Sequence, residues 1–386
     1  MEPIRVIMLG PTQSGKTLFL SAMWQKLQLP LDPGFHLEPV TADSYPDTAS
    51  RNKLDRIYTH LVSQNDFPPG TALGSKANYR FACHVQIDQQ AYKACNFEYL
   101  DYAGGLLSGE SFHDEDFEQA VEEADVLLGL LDGVRLLLAM SADEEAREWI
   151  GQELAPILVR TAATLRKSAH RPLSIHFVIS KWDAISQLAP HLTLEHFRNF
   201  LNEIPAVQAL LSLLSPNATV RLIPVSALGE GFAKMESETV DDGDGNRRIL
   251  IHTRKRHTPE SLISPTPYNV EIPIACCIPD VLTQRLALLD KDKEALTNKL
   301  AHLETPHLTF VQRLGAVRVP VLRELGQWLA RTEEQRRIDT ARTLRERYQN
   351  VTDTESAFRY LVQFCSALRD SFEKEEPHSV LKRGKL

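Results

Sequence analysis

The eight residues Gly10-Pro11-Thr12-Gln13-Ser14-Gly15-Lys16-Thr17 constrain this chain more than any other stretch of it. They match the pattern G-x-x-x-x-G-K-[ST] in full. They lie between an apolar run, Ile4 to Leu9, and a segment carrying Leu18, Phe19, Ala22, Met23 and Leu27 at helical spacing. A strand, a glycine turn and a helix in that order leave few folds open. Gly15 lets the backbone curl toward a bound anion with no Cβ in the way. Successive amides of the turn, followed by the positive end of the helix from Lys16, present fixed donors to phosphate. Lys16 is the candidate for reaching the β- and γ-phosphates, and the Thr17 hydroxyl is the candidate magnesium ligand. Gly10, Thr12, Gln13 and Ser14 complete the residues expected around the phosphate chain.

Beyond the turn, strand-like runs at Tyr79–Ile87, Phe97–Leu100, Ala124–Leu131, Ser174–Ser180 and Thr219–Val225 alternate with helical stretches at Glu144–Lys167 and Thr193–Leu214. This rhythm predicts an α/β chain: a doubly wound, mostly parallel P-loop sheet with one antiparallel strand, plus an α-helical C-terminal extension. Residues 28–79 read as a long polar excursion with one helical stretch around Lys53–Val62. The polar insert at 235–266 contains Asp241-Asp242-Gly243-Asp244-Gly245, which is hairpin turn chemistry and lacks the twelve-residue spacing of a calcium loop. The expected boundaries are 1–280 for a nucleotide-binding domain with this insert, and 281–386 for the extension. In the extension Leu282, Leu286, Leu289, Leu296, Leu300 and Leu303 form a short seam, broken by Lys293. That seam suits a local helical hairpin, with pairing to a second copy as the alternative.

Three further segments follow the phosphate loop in a fixed order: Asp101-Tyr102-Ala103-Gly104, Ser180-Lys181-Trp182-Asp183 and Ser226-Ala227. By these the chain resembles the translation-factor-related (Ras-like, TRAFAC-type) class of P-loop GTPases over roughly residues 1–280, and it looks like a bacterial member with a helical C-terminal extension. The resemblance implies GTP or GDP and magnesium as cofactors. Asp101 would stand near the metal, and the amide of Gly104 would touch the γ-phosphate. Ser180-Lys181-Trp182-Asp183 is similar to the base-recognition motif [NT]-K-x-D, with Ser180 in place of the usual Asn or Thr. Lys181 would lay its stem along the base, while Asp183 accepts from the N1–H and the exocyclic amine of guanine. Adenine lacks that donor pair and would leave the carboxylate poorly matched. Ser226-Ala227 would place the Ala227 amide against the guanine carbonyl oxygen.

The resemblance also calls for a threonine that closes over magnesium. Thr71, in Phe67-Pro68-Pro69-Gly70-Thr71, is the choice, with Thr41, Thr48 and Thr59 as competitors. The implied catalytic set is Lys16, Thr71 and Gly104, and the metal set is Thr17, Thr71 and Asp101. Many members carry a water-orienting Gln after the D-x-x-G glycine, where this chain has Gly105. Glu110, His113, Arg51, Arg56 and Arg80 lie nearby, and Thr12 stands where it would crowd an arginine offered by a partner. The expected function is a GTP-binding switch with weak basal hydrolysis, read by an unidentified protein effector or activator or by self-association through the helical tail. A P-loop ATPase or kinase with an accidental S-K-W-D is one alternative. A scaffold holding GTP structurally is another.

Composition excludes other classes. A net charge of −8 and the lack of a basic stripe with interleaved aromatics argue against nucleic acid. No apolar stretch reaches about eighteen residues, so no transmembrane segment is expected. Five cysteines without C-x-x-C spacing suit a reducing cytoplasm, the expected location, and not a disulfide framework or zinc site.

Overall fold

The computed structural model describes residues 2–29, 34–64, 76–87, 90–102, 115–167, 173–216, 218–241, 247–255, 265–282 and 356–384. The chain divides into two compact units, Met1–Val281 with Leu361–Leu386, and Leu282–Tyr360. In the second unit, Leu282 and residues 356–360 are described, all helical. The seam leucines from Leu286 to Leu303 lie outside the described residues.

The first unit is built on β1 (Ile4–Leu9), β2 (Phe35–Pro39), β3 (Lys76–Ile87), β4 (Gln90–Tyr102), β5 (Val126–Asp132), β6 (Ser174–Ser180), β7 (Thr219–Pro224) and β10 (Val380–Lys382), with β8 (Ala233–Asp241) and β9 (Arg247–Lys255) forming a separate ribbon. The eight strands of the main sheet run in the order β10-β7-β6-β5-β1-β4-β3-β2. β1, β4, β5, β6 and β7 are parallel, and β3 is antiparallel to both β2 and β4. The fold is therefore the doubly wound, mostly parallel α/β sheet that the sequence predicts. β3 is the strand that runs against its neighbours in the body of the sheet. β10 adds a second reversed strand at the β7 edge.

The helices are α1 (Lys16–Leu27), α2 (Thr48–Gln64), α3 (Glu115–Glu123), α4 (Gly133–Met140), α5 (Glu144–Trp149), α6 (Ala155–Lys167), α7 (Trp182–Leu188), α8 (Leu194–Glu203), α9 (Pro205–Leu213), α10 (272–282) and α11 (356–375). Helices cover the sheet on both faces, so its central strands are mostly apolar and do not simply alternate; β6 is buried at every residue, Ser174, His176 and Ser180 included. On one face Ile7, Leu127, Ile175 and Leu222 pack with Leu158 and Ala162 of α6 and Leu210 of α9. Elsewhere Trp24 of α1 stacks on Phe81, which meets Tyr99 edge-on.

Several elements differ from the sequence reading for local reasons. The excursion at 28–79 contains β2, whose Phe35, Leu37 and Pro39 are buried alternately over only five residues. Its helix spans Thr48–Gln64. The helical stretch Glu144–Lys167 is interrupted by a π turn at Ile150–Leu154. Helix begins at 272, and not at 281. The C-terminal residues 361–386 return to the first unit, where β10 closes the sheet edge. Strand signals three residues long are hidden behind a helical tail. The insert carries β8 and β9, paired antiparallel from Ala233↔Lys255 to Asp241↔Arg247.

The sheet order places the functional residues. From β1 the chain travels to the β2 edge, returns through β3 to β4 beside β1, and then crosses to β5 on the other side of β1. Such a reversal opens a crevice at the carboxyl ends of the strands, where ligands of open α/β sheets bind.

Candidate functional site

The loop leaving β1 is shaped for an anion. Gln13 and Gly15 have φ of +65° and +91°, so the backbone curls back on itself and its amides converge. A Cβ at position 15 would meet only Ser180, at 3.9 Å, so conformation and not space requires glycine there. Thr12 and Gln13 are exposed on the loop, while Ser14 and Lys16 are buried. Lys16 Nζ donates to the carbonyls of Gly10 (2.8 Å) and Pro11 (3.1 Å). Burial draws its ammonium below the ordinary lysine range, opposed by the carboxylates of Asp101 and Glu153.

β4 brings Asp101 alongside β1, where it pairs in register with Met8. Thr17 Oγ1 donates to Asp101 Oδ2 at 3.4 Å. Burial raises the Asp101 carboxyl above its usual value, while Lys16, the Thr17 hydrogen bond and Lys53 pull it down. Asp101 Oδ1 and Ser14 Oγ are buried and have no hydrogen-bond partner among the described residues.

The turn after β6 abuts this loop. Ser180 Oγ lies 2.9 Å from the Ser14 carbonyl oxygen and 3.0 Å from that of Leu131, its one proton shared between them. The chain then turns through Lys181, in the left-handed region at φ +59°. The Trp182 amide donates to Val225 O, which joins this turn to the one after β7. Asp183 is buried, and Ser226 Oγ donates to its Oδ1 at 2.6 Å. The same Ser226 oxygen accepts from the amides of Gly229 (2.7 Å) and Leu228 (3.3 Å). Burial raises the Asp183 carboxyl, and the Ser226 hydrogen bond, backbone amides and Lys181 oppose the rise. Ala227 is half-buried beside Ser226.

The structure thus brings together Ser14, Lys16, Thr17 and Asp101, sets Ser180 against the loop, and joins Asp183 to Ser226. Thr71, Gly104, Gly105, Glu110 and His113 lie outside the described residues. Among their competitors, Thr41 Oγ1 accepts from the Tyr45 amide, and Thr48 opens α2. Arg51 stands over the Trp24 ring and Arg80 pairs with Glu98 at 2.7 Å, so both are engaged away from the loop. Two contributors escaped the sequence. Lys53, with Nζ 5.0 Å from the centre of the Tyr79 ring, adds to the field at Asp101. Asp132, at the end of β5, takes the Lys181 ammonium at 2.6 Å. Its only sequence signal is an aspartate closing an apolar strand ahead of a glycine.

Magnesium fits the donors at Thr17 and Asp101. A hydroxyl and an otherwise unpartnered carboxylate oxygen are hard ligands, and this ion takes one or two protein oxygens together with substrate phosphates. Among the described residues no group of three or more His, Cys, Asp or Glu side chains is arranged to hold a metal. No helix of the described residues is long and apolar enough to cross a membrane.

Fold and loop make this a doubly wound α/β protein of the P-loop kind. No protein-family model matches the chain, and no curated protein matches its sequence. Solved structures similar to it include GTPases. The signal recognition particle receptor SRb-GTP/SRX complex of Chaetomium thermophilum is 15% identical, with 60% of this chain and 93% of that one covered and a TM-score of 0.32. The GTP-bound Ski7 GTPase-like domain of S. cerevisiae is 15% identical over 60% of this chain and 44% of that one, with a TM-score of 0.36. Sup35 complexed with GDP is 12% identical over 60% and 38%, with a TM-score of 0.28. The chain therefore spans less than half the length of the Ski7 and Sup35 chains. At those scores the fold and the site stand on the chain's own geometry.

Proposed function

We propose that the chain is a guanine-nucleotide switch of the translation-factor-related (Ras-like) P-loop class, binding Mg-GTP and GDP and hydrolysing GTP slowly. One observation carries this reading: the 2.9 Å hydrogen bond from Ser180 to the Ser14 carbonyl, across 166 residues of sequence. It ties the turn bearing Asp183 to the loop bearing Lys16, so one crevice receives a phosphate chain at one end and a purine at the other. The curled amides and Lys16 hold the phosphates. Asp183, oriented by Ser226, accepts the paired N–H donors of guanine, and the Ala227 amide meets the carbonyl oxygen of the base.

Thr17 and Asp101 would hold magnesium, with Thr71 joining them. When bound, the ion neutralises charge on the phosphate oxygens. Thr71 and the Gly104 amide would report the γ-phosphate to a protein effector by ordering their loops. Hydrolysis is slow in this reading because Gly105 has no side chain to orient water, and Arg51 and Arg80 are committed to Trp24 and Glu98. The reading puts the protein in the cytoplasm, with self-association through the helical tail at 281–386 as one route of activation.

The test is competition of GDP, GTP, ADP and ATP for the purified protein against fluorescent GDP. Guanine nucleotides are expected to compete at least about a hundredfold better, because the wrong base leaves a buried acceptor unpaired. Asp183→Asn should transfer the preference to xanthosine nucleotides. Equal competition by ATP would overturn the assignment.

A further inference from the structure

Asp132 and Gly133 lie outside the phosphate loop, the metal ligands and the base turn, yet they are locked into the last of these. Asp132 has a side chain only 5% exposed. Its two oxygens do different things. Oδ1 accepts from the amides of Val134 (3.1 Å) and Arg135 (3.2 Å), capping α4. Oδ2 accepts from Lys181 Nζ at 2.6 Å. The approach is possible because residue 133 has no side chain: a Cβ there would lie 2.3 Å from Ser180 O and 2.6 Å from Ile185 Cδ1.

From this geometry we infer that Asp132 is a positioning residue for base recognition, acting by holding the Lys181 ammonium so that the lysine stem is fixed at the purine. The inference rests on the guanine-nucleotide reading and adds a specificity residue to it. Lys181 is 40% exposed and carries a flexible four-carbon stem, so it would otherwise sample many rotamers. The capped helix start immobilises Asp132, and Asp132 in turn immobilises Lys181. The phosphate end is one step removed from this ion pair, reached through the Ser180 hydroxyl at the Ser14 and Leu131 carbonyls.

The experiment is a double-mutant cycle on the full chain with Asp132→Asn, Lys181→Met and the double variant. Fluorescent GDP reads the whole site, and inorganic tripolyphosphate reads the phosphate end alone. Asn keeps an oxygen for the helix cap, so the variant should fold, and its ligand-free melting midpoint checks this. Asp132→Asn is expected to weaken GDP about tenfold, the scale of one charge-assisted hydrogen bond, and to leave tripolyphosphate within about twofold. In the Lys181→Met background it should change GDP binding by less than about twofold, because the group it acts through is gone. GDP affinity unchanged by Asp132→Asn overturns the inference. So does a loss that is additive with Lys181→Met, or one that falls equally on GDP and tripolyphosphate. Equal affinity of the unsubstituted protein for GDP and ADP is a different failure, removing the guanine reading and this inference with it.

Discussion

Ser226 Oγ donates to Asp183 Oδ1 at 2.6 Å while accepting from the Gly229 and Leu228 amides, so the carboxylate is aimed by a hydroxyl that is itself held by backbone. Burial already raises the Asp183 carboxyl, and this hydrogen bond is the largest influence opposing the rise. Ser226→Ala removes the donor and should weaken GDP about tenfold at neutral pH. It should also move the acid-side loss of binding to higher pH, because the carboxyl then protonates more readily. Ser226→Thr keeps the hydroxyl and should restore most of the affinity. Titration of fluorescent GDP between pH 5 and about 8 distinguishes the variants. A Ser226→Ala protein with an unshifted acid limb would show that the hydroxyl does not tune Asp183.

The same carboxylate has a cost in the free protein. Its folded-state value lies above the ordinary 3.8, so the native state binds the proton more tightly than the unfolded chain. Stability therefore falls as pH rises from the ordinary value through the folded-state one, and the cost is complete above the latter. Asp183→Asn should raise the ligand-free stability by about 1 kcal/mol, seen as a melting midpoint a few degrees higher, while guanine binding is lost. A lower midpoint in Asp183→Asn would mean that the carboxylate stabilises the free protein.

How much of this was legible beforehand depended on whether a residue belongs to a spaced pattern. Gly15, Lys16 and Thr17 lie in one uninterrupted motif, and Asp183 is marked by its lysine two residues earlier and an apolar strand before it. The central strands could be read because burial on both faces makes them mostly apolar runs, broken by few polar residues. Asp132 had no such context, since its partner is 49 residues away and its role exists only once β5 and β6 lie side by side. Ser180 was seen as a departure from Asn or Thr, but its grip on Ser14 is a tertiary fact. β10 escaped because three residues carry no period, and its place at the edge is set by side chains distributed over β7, α10 and α11.

Those side chains make the next prediction. Arg221, 4% exposed, donates to Asp280 at 2.9 Å and to Glu373 at 3.1 Å, and Glu373 also takes Arg383. Burial alone would raise the Glu373 carboxyl, but the hydrogen bonds from Arg221 and Arg383 outweigh it and hold the group below its ordinary 4.5. A depressed folded-state value means stability gained above about pH 4.5 and drained as pH falls through the folded value. Arg221→Met leaves Glu373 with Arg383 alone and Asp280 with the Ser174 hydroxyl, and should cost about 1–3 kcal/mol. It should also flatten the acid limb of the stability curve below pH 4.5. Urea titrations at pH 7 and about 4 would check both signs, and limited proteolysis should find the strand Val380–Lys382 newly accessible.

Gly15 and Gly133 are both glycines at the crevice, but they are glycine for different reasons, and alanine should separate them. At Gly15 a Cβ has room, its nearest neighbour at 3.9 Å, and the obstacle is φ of +91°. Gly15→Ala should therefore cost about 1–2 kcal/mol of backbone strain or relax the loop. Either way the converging amides are spoiled, and binding of tripolyphosphate should fall together with GDP. At Gly133 the backbone is ordinary, and a Cβ would sit 2.3 Å from Ser180 O. Since a carbonyl in a buried strand cannot swing aside, Gly133→Ala must push α4 from the end of β6, at about 3 kcal/mol or more. That movement separates Asp132 from Lys181, so GDP should weaken more than tripolyphosphate in whatever fraction remains folded. Melting midpoints and the two affinities, measured side by side, decide the matter. If both variants lost tripolyphosphate equally, the crevice could not be divided into a phosphate end set by conformation and a base end set by close packing.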